Sequence, residues 1–147
     1  MTQHPRIPTI LVADDEPEVL ELVRILLEWE DYTVIEATDG QEALDKIRSI
    51  CPDLALLDVR MPNMDGLSVL EHLQTDPVLA SIPVVMLSVV TTYPQVETAL
   101  KNGAVAYLPK PFEIREIVHL VGQVLSSDDN GRREIREHAL RTLGAGW

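Results

Sequence analysis

Cysteine is almost absent. Cys51 stands alone in 147 residues, so no internal disulfide can form, and a reducing compartment is the simplest setting. Aromatic residues are scarce at 4%, while hydrophobic residues reach 46%. A core built from this chain is therefore aliphatic, and the apolar content is too high for a disordered polypeptide. Basic residues are half as abundant as acidic ones, 12 against 24, for a net charge of −12. A surface of that sign repels duplex phosphates and argues against nucleic-acid binding through bulk charge. No apolar run approaches the roughly 18 residues that a membrane helix needs. The apolar stretch over residues 7–13 runs straight into Asp14-Asp15-Glu16, which excludes a secretory signal. The expectation is a cytoplasmic protein with one ordinary domain and no membrane contact.

What is present alternates. Residues 10–13 form a short β-branched run that reads as a buried strand. Asp14-Asp15-Glu16-Pro17 can open a helix, since acids suit the first turn and proline its first position. Val19, Leu20, Val23, Leu26 and Leu27 then recur at helical spacing. The same pair of patterns returns four times. Strands are expected over residues 32–37, 54–58, 83–88 and 104–108. Helices are expected around Ala43, Leu44 and Ile47, around Leu67 to Leu73, around Val96 to Leu100 and from Ile114 to Leu125. Asp39-Gly40, Asp76-Pro77 and Asn102-Gly103 punctuate them. The strands are apolar on both faces rather than alternating, which predicts a parallel sheet with helices on both faces. The fold class is a doubly wound α/β domain of five parallel strands in the order 2-1-3-4-5, with a short C-terminal helical extension. Residues 1–125 form that domain and carry 8 Lys or Arg against 20 Asp or Glu. Residues 126–147 carry four of each. Their first part, 126–131, reads as a linker, and residues 132–143 read as one more helix with Ile135, Ala139, Leu140 and Leu143 on one side.

Ligands of open parallel sheets bind at the carboxyl ends of the strands. Asp14 and Asp15 end the first strand, Asp58 the third and Ser88 the fourth, and Lys110 follows the fifth. Three carboxylates crowded together ionise jointly only around a cation, and hard oxygen ligands at that density suit Mg²⁺. An ammonium and a hydroxyl are groups a phosphoryl oxygen accepts from, and a carboxylate can attack phosphorus. The residues point to Mg²⁺-dependent phosphoryl transfer onto an aspartate.

The same residues carry a resemblance. Asp14-Asp15, then Leu57-Asp58-Val59-Arg60-Met61-Pro62-Asn63-Met64-Asp65-Gly66, then Ser88, then Tyr107-Leu108-Pro109-Lys110-Pro111-Phe112 resemble the receiver domain of bacterial two-component response regulators over about residues 7–125. The resemblance implies a flavodoxin-like fold and a phosphorelay role. By it, Asp58 is the phospho-acceptor, charged by a sensor histidine kinase or a phosphotransfer protein. Asp14, Asp15, Asp58 and the backbone carbonyl of Arg60 hold Mg²⁺. Lys110 binds phosphoryl oxygens beside a cis Lys110–Pro111 bond. Ser88 and Tyr107 act as a switch that moves the surface of helix four, strand five and helix five. Val89 stands where the family commonly has Ala or Gly, Val90 cannot hydrogen-bond a hydrolytic water, and Arg60 puts positive charge at the rim. Those three departures bear on the phosphoryl lifetime.

Blander readings exist for each residue. Tyr107 can be edge-strand packing. His4, His72, His119 and His138 lack metal spacing and read as surface residues. Cys51 reads as a small buried hydrophobe, and Arg132, Arg133, Arg136 and Arg141 as a solvated helix face. Two other functions compete. A haloacid-dehalogenase-type phosphatase needs a second acid two positions after its nucleophile, and Asp58-Val59-Arg60 supplies none. A phosphorylation-independent adaptor would form no acyl phosphate, so the expectation is a switch rather than an enzyme. The 22 residues after Leu125 are too few for a helix-turn-helix output domain. A stand-alone receiver, a piece of a longer protein and a homodimer all stay open, and the downstream partner is not named by the sequence.

Overall fold

The computed structural model describes residues 6–89 and 93–146. Five strands alternate with helices: β1 Thr9–Ala13, α1 Pro17–Trp29, β2 Thr33–Ala37, α2 Gly40–Ile50, β3 Leu54–Asp58, α3 Gly66–Gln74, β4 Val84–Ser88, α4 Tyr93–Lys101, β5 Ala106–Pro109, α5 Ile114–Ser126 and α6 Asp129–Gly146. A 3₁₀ turn at Leu79–Ser81 leads into β4. The strands pair in parallel in the order β2-β1-β3-β4-β5, as the apolar runs predict.

The central strands bury both faces. Ile10 and Val12 of β1 join Leu20, Val23 and Leu27 of α1 and Ile117, Val121 and Val124 of α5 in one core. Their neighbours Leu11 and Ala13 join Leu44 and Ile47 of α2, Leu70 of α3 and Leu100 of α4 in the other. Strand alternation thus feeds two aliphatic layers from one short run. The edge strand β2 is only half covered, and its Glu36 reaches Arg24 of α1 at 3.0 Å.

Local chemistry sets the boundaries. Pro17 occupies the first turn of α1, where its missing N–H costs nothing. Asp39 caps α2 by accepting from the Glu42 amide at 2.7 Å, and Asp65 caps α3 by accepting from Ser68 at 2.8 Å. Gly103 turns the chain after α4 at φ 111°, a conformation open chiefly to glycine.

Three expectations need correction. Cys51 is exposed, not buried. It takes the left-handed conformation that ends α2, at φ 51°, and this puts its side chain on the rim while Pro52 takes the buried place. The stretch 126–131 is mostly helical. Only Ser127 and Asp128 separate α5 from α6, because Asp128 acts as a cap, accepting from the Gly131 amide through its side chain at 2.8 Å. Arg132 and Arg136 are half-buried rather than a solvated face. Arg132 donates to the Val124 carbonyl at 3.1 Å, and Arg136 donates to the carbonyls of Ala104 and Gly103 at 2.9 and 3.0 Å. These carbonyls lie in the last turn of α5 and in the turn between α4 and β5, where backbone oxygens stay open to a side-chain donor, and no sequence pattern marks them as targets. Arg133 and Arg141 are exposed, as are His72, His119 and His138. His4 lies outside the described residues, as does Val90, and the side chain of Leu143 is not described.

Candidate phosphoryl-acceptor site

The parallel order brings the carboxyl ends of β1, β3, β4 and β5 to one edge, and the predicted side chains gather there. Asp14 is completely buried and Asp58 nearly so, at 4% exposure. Asp14 accepts from the Glu16 amide at 2.9 Å and from the Lys110 ammonium. Asp58 accepts from Lys110 Nζ at 3.1 Å through one oxygen and from the Arg60 amide at 3.3 Å through the other. Lys110 thus bridges the ends of β1 and β3 from the loop after β5, with its own side chain only 8% exposed. The Lys110–Pro111 peptide is cis, the one such bond among the described residues.

Two further carboxylates stand at the mouth. Asp15 and Glu16 are exposed, and one oxygen each from Asp14, Asp15, Glu16 and Asp58 lies within 4.8 Å of the others. Glu16 Oε1 also lies 3.8 Å from Lys110 Nζ. Sequence reasoning missed Glu16 by assigning it only to the start of α1. Its signal was its place directly after Asp15 at the same strand end. This all-oxygen donor set, buried at its floor and open at its mouth, fits a small hard cation such as Mg²⁺ that keeps some of its waters.

The charges perturb one another. Burial, then the neighbouring Asp14 carboxylate, pushes Asp58 up to about 6, against the opposing pull of Lys110 and the Arg60 amide. Burial works against the charge on Lys110, but hydrogen bonds to Asp14 and Asp58 and their negative charge outweigh it and raise its pKa. A carboxylate held in this way is anionic at neutral pH yet unusually ready to lose its charge.

The wall behind Asp58 is tight. A Cβ on Gly66 would lie 2.2 Å from the Asp58 carbonyl oxygen, and the Gly66 amide donates to the Val59 carbonyl at 2.8 Å. The loop from β3 to α3 therefore folds directly over the end of β3. Asn63, at φ 67°, donates to Asp39 at 2.8 Å and ties that loop to the start of α2.

Ser88 is buried at the end of β4, beside the strand that carries Asp58, and its carbonyl accepts from the Lys110 amide at 2.8 Å. Tyr107 sits farther away. It is half-buried on β5, opposite Met86, and it lines a cavity between β5, α5 and α6 rather than the acidic cluster. Val89, directly after β4, is 52% exposed. Arg60 is exposed at the rim, as expected.

Relatives share this arrangement of elements. The profile described as the response regulator receiver domain matches residues 10–122. The response regulator GtcR of Aneurinibacillus migulanus is 40% identical over 110 residues, which are 75% of this chain and 44% of that protein. The DNA-binding response regulator MtrA of Mycolicibacterium smegmatis is 36% identical over 126 residues, 86% of this chain and 54% of that protein. The chain spans about half the length of these curated relatives. Among solved structures, the receiver domain of the Francisella response regulator 1452 superposes with a TM-score of 0.74 at 33% identity, covering 80% of this chain and 95% of that one. The chemotaxis protein CheY4 of Vibrio cholerae gives 0.76 at 27% identity, covering 81% and 99%. No helix among the described residues is long and apolar enough to cross a membrane. With its five-stranded order, its acidic strand ends and its bridging lysine, the chain belongs to the receiver domains of two-component response regulators.

Proposed function

We propose that this chain accepts a phosphoryl group on Asp58 from a phosphohistidine of a sensor kinase or phosphotransfer protein, and that the charge so created switches a protein-binding surface. One observation carries the reading. Asp58 is a nearly buried carboxylate whose two oxygens are held by Lys110 and the Arg60 amide, within a cluster of four acids.

The step balances simply. A carboxylate oxygen of Asp58 attacks phosphorus, the phosphorus–nitrogen bond to the donor histidine breaks, and imidazole leaves. Asp58 enters as an anion at neutral pH, because its pKa of about 6 still lies below 7. Lys110 already touches it and moves with the charge onto the phosphoryl oxygens. Asp14, Asp15, Asp58 and the Arg60 carbonyl are the groups that would hold Mg²⁺, with Glu16 at the mouth. When bound, Mg²⁺ neutralises the crowded carboxylates and draws negative charge off the phosphoryl oxygens. Ser88 supplies a hydroxyl beside the acceptor strand and is the natural donor to the new anion. Loss of the phosphoryl group to water resets Asp58, so the chain turns over only its own acyl phosphate.

The complete acceptor set favours this switch over an adaptor that never carries phosphate. A net charge of −12 favours a protein partner over nucleic acid. Incubation with acetyl phosphate and Mg²⁺, followed by intact mass measurement, should add one phosphoryl group to the chain and none to Asp58→Asn. Equal labelling of the two would overturn the assignment.

A further inference from the structure

α6 takes no part in the phosphoryl site, yet it lies across α4 and β5. Gly131, Arg132, Ile135, Arg136, Ala139 and Leu140 form its half-buried inner stripe, at the spacing of one helix face. Its seat is loose. None of residues 129–142 is fully buried. A cavity of about 430 Å³ lies beneath it, lined by Tyr107 and Leu120 on one side and by Ile135 and Ala139 on the other. Among the described residues, its polar anchors to the body are the hydrogen bonds from Arg132 and Arg136 to backbone carbonyls. Elements held by few buried contacts belong to the low-stability end of a fold.

That seat is wired to the acceptor. The Ser88 carbonyl accepts from the Lys110 amide, and Ser88 pairs with Pro109 in the ladder in which Met86 pairs with Tyr107. Tyr107 therefore stands on the same short strand as the loop that delivers Lys110, and it forms part of the floor under α6.

We propose that α6 is a displaceable cover of the α4–β5 face and that phosphorylation of Asp58 releases it. The proposal rests on the reading of Asp58 as acceptor. A new anion draws Lys110 and Ser88 toward it, and β5 follows through the Ser88–Lys110 hydrogen bond. Tyr107 then withdraws from the floor, the cavity widens, and the apolar cluster to which Tyr107, Ala139 and Leu140 all contribute is thinned. α6 is 18 residues long and mostly polar, so once undocked it frays. The face it leaves becomes available to a partner only in the phosphorylated state. Because the coupling is reciprocal, a chain whose α6 is already undocked should bind a phosphoryl mimic more tightly.

Amide hydrogen exchange on the full chain tests this, with intact mass reporting phosphoryl occupancy in the same sample. After acetyl phosphate and Mg²⁺, exchange over residues 132–142 should accelerate about tenfold, and Asp58→Asn treated identically should not change. Unchanged exchange in a chain whose mass shows the phosphoryl group overturns the cover and leaves the acceptor intact. Absence of the phosphoryl mass removes both. Leu140→Glu gives an independent arm, since Leu140 lies outside the acceptor site. It should speed exchange in α6 without phosphorylation and raise the affinity for beryllium fluoride with Mg²⁺ severalfold. A released α6 with unchanged affinity for that mimic overturns the coupling.

Discussion

Lys110 defines the resting state of the site. One ammonium is shared between Asp14 and Asp58, two buried acids that would otherwise repel each other. The sharing is incomplete, and the remaining strain falls on Asp58, whose pKa rises from 3.8 to about 6. A raised acid binds more protons folded than unfolded, so its stabilising contribution is fully present below about pH 4 and is lost as pH rises through about 6. Two consequences follow for the metal-free chain. Asp58→Asn should be more stable than the parent at pH 7, by about 1–2 kcal/mol. The parent's excess loss of stability between about pH 4 and 6, relative to the variant, should disappear with the carboxylate. Denaturant unfolding at several pH values checks both, and a variant less stable than the parent at pH 7 would contradict the strain argument.

At the scale of elements, the proposed acceptor depends on how the loop after β3 closes. Gly66 starts α3 where any side chain meets the Asp58 carbonyl. Gly66→Ala should cost about 1–3 kcal/mol by overpacking and slow phosphorylation at least tenfold by shifting the carboxylate. Wild-type stability and rate in that variant would show that the loop has slack. The apolar strand runs and helical stripes made the element order readable, since β1 carries an unbroken apolar run from Ile10 to Ala13. The strand ends were readable because charged residues directly after an apolar run can stand only at the sheet's edge. Less legible was whatever depends on the chain folding back. Residues 126–131 looked like a linker because cap and turn residues are the same residue types, and only Ser127-Asp128 in fact separates α5 from α6. Cys51 looked buried by composition, but the turn out of α2 placed it outside. Arg136 looked solvated because its partners are backbone carbonyls, which no sequence pattern marks.

For the whole molecule, the acidic cluster links metal binding to stability. A ligand that binds only the folded state stabilises it by about 2.7 kcal/mol at a hundredfold excess over its dissociation constant. Mg²⁺ should therefore raise the melting temperature of this chain in a saturable way. Asp15→Ala, which removes an exposed acid with no role in the core, should melt like the parent without metal and need at least about tenfold more Mg²⁺ for the same rise. A parent chain whose melting temperature ignores Mg²⁺ would refute the metal assignment. The two halves of the charge distribution fit the same picture: the acidic body carries the proposed metal site and acceptor, and the neutral tail folds onto it as α6.

The central claim is that one particular carboxylate among four becomes an acyl phosphate. Borohydride reduction of the phosphorylated chain, followed by peptide mapping, reads this directly, because reduction converts an aspartyl phosphate to homoserine at the residue that carried it. The account predicts homoserine at position 58 alone, dependent on Mg²⁺ and on Lys110. Homoserine at position 14, 15 or 16, or none in a chain that has gained the phosphoryl mass, would contradict it.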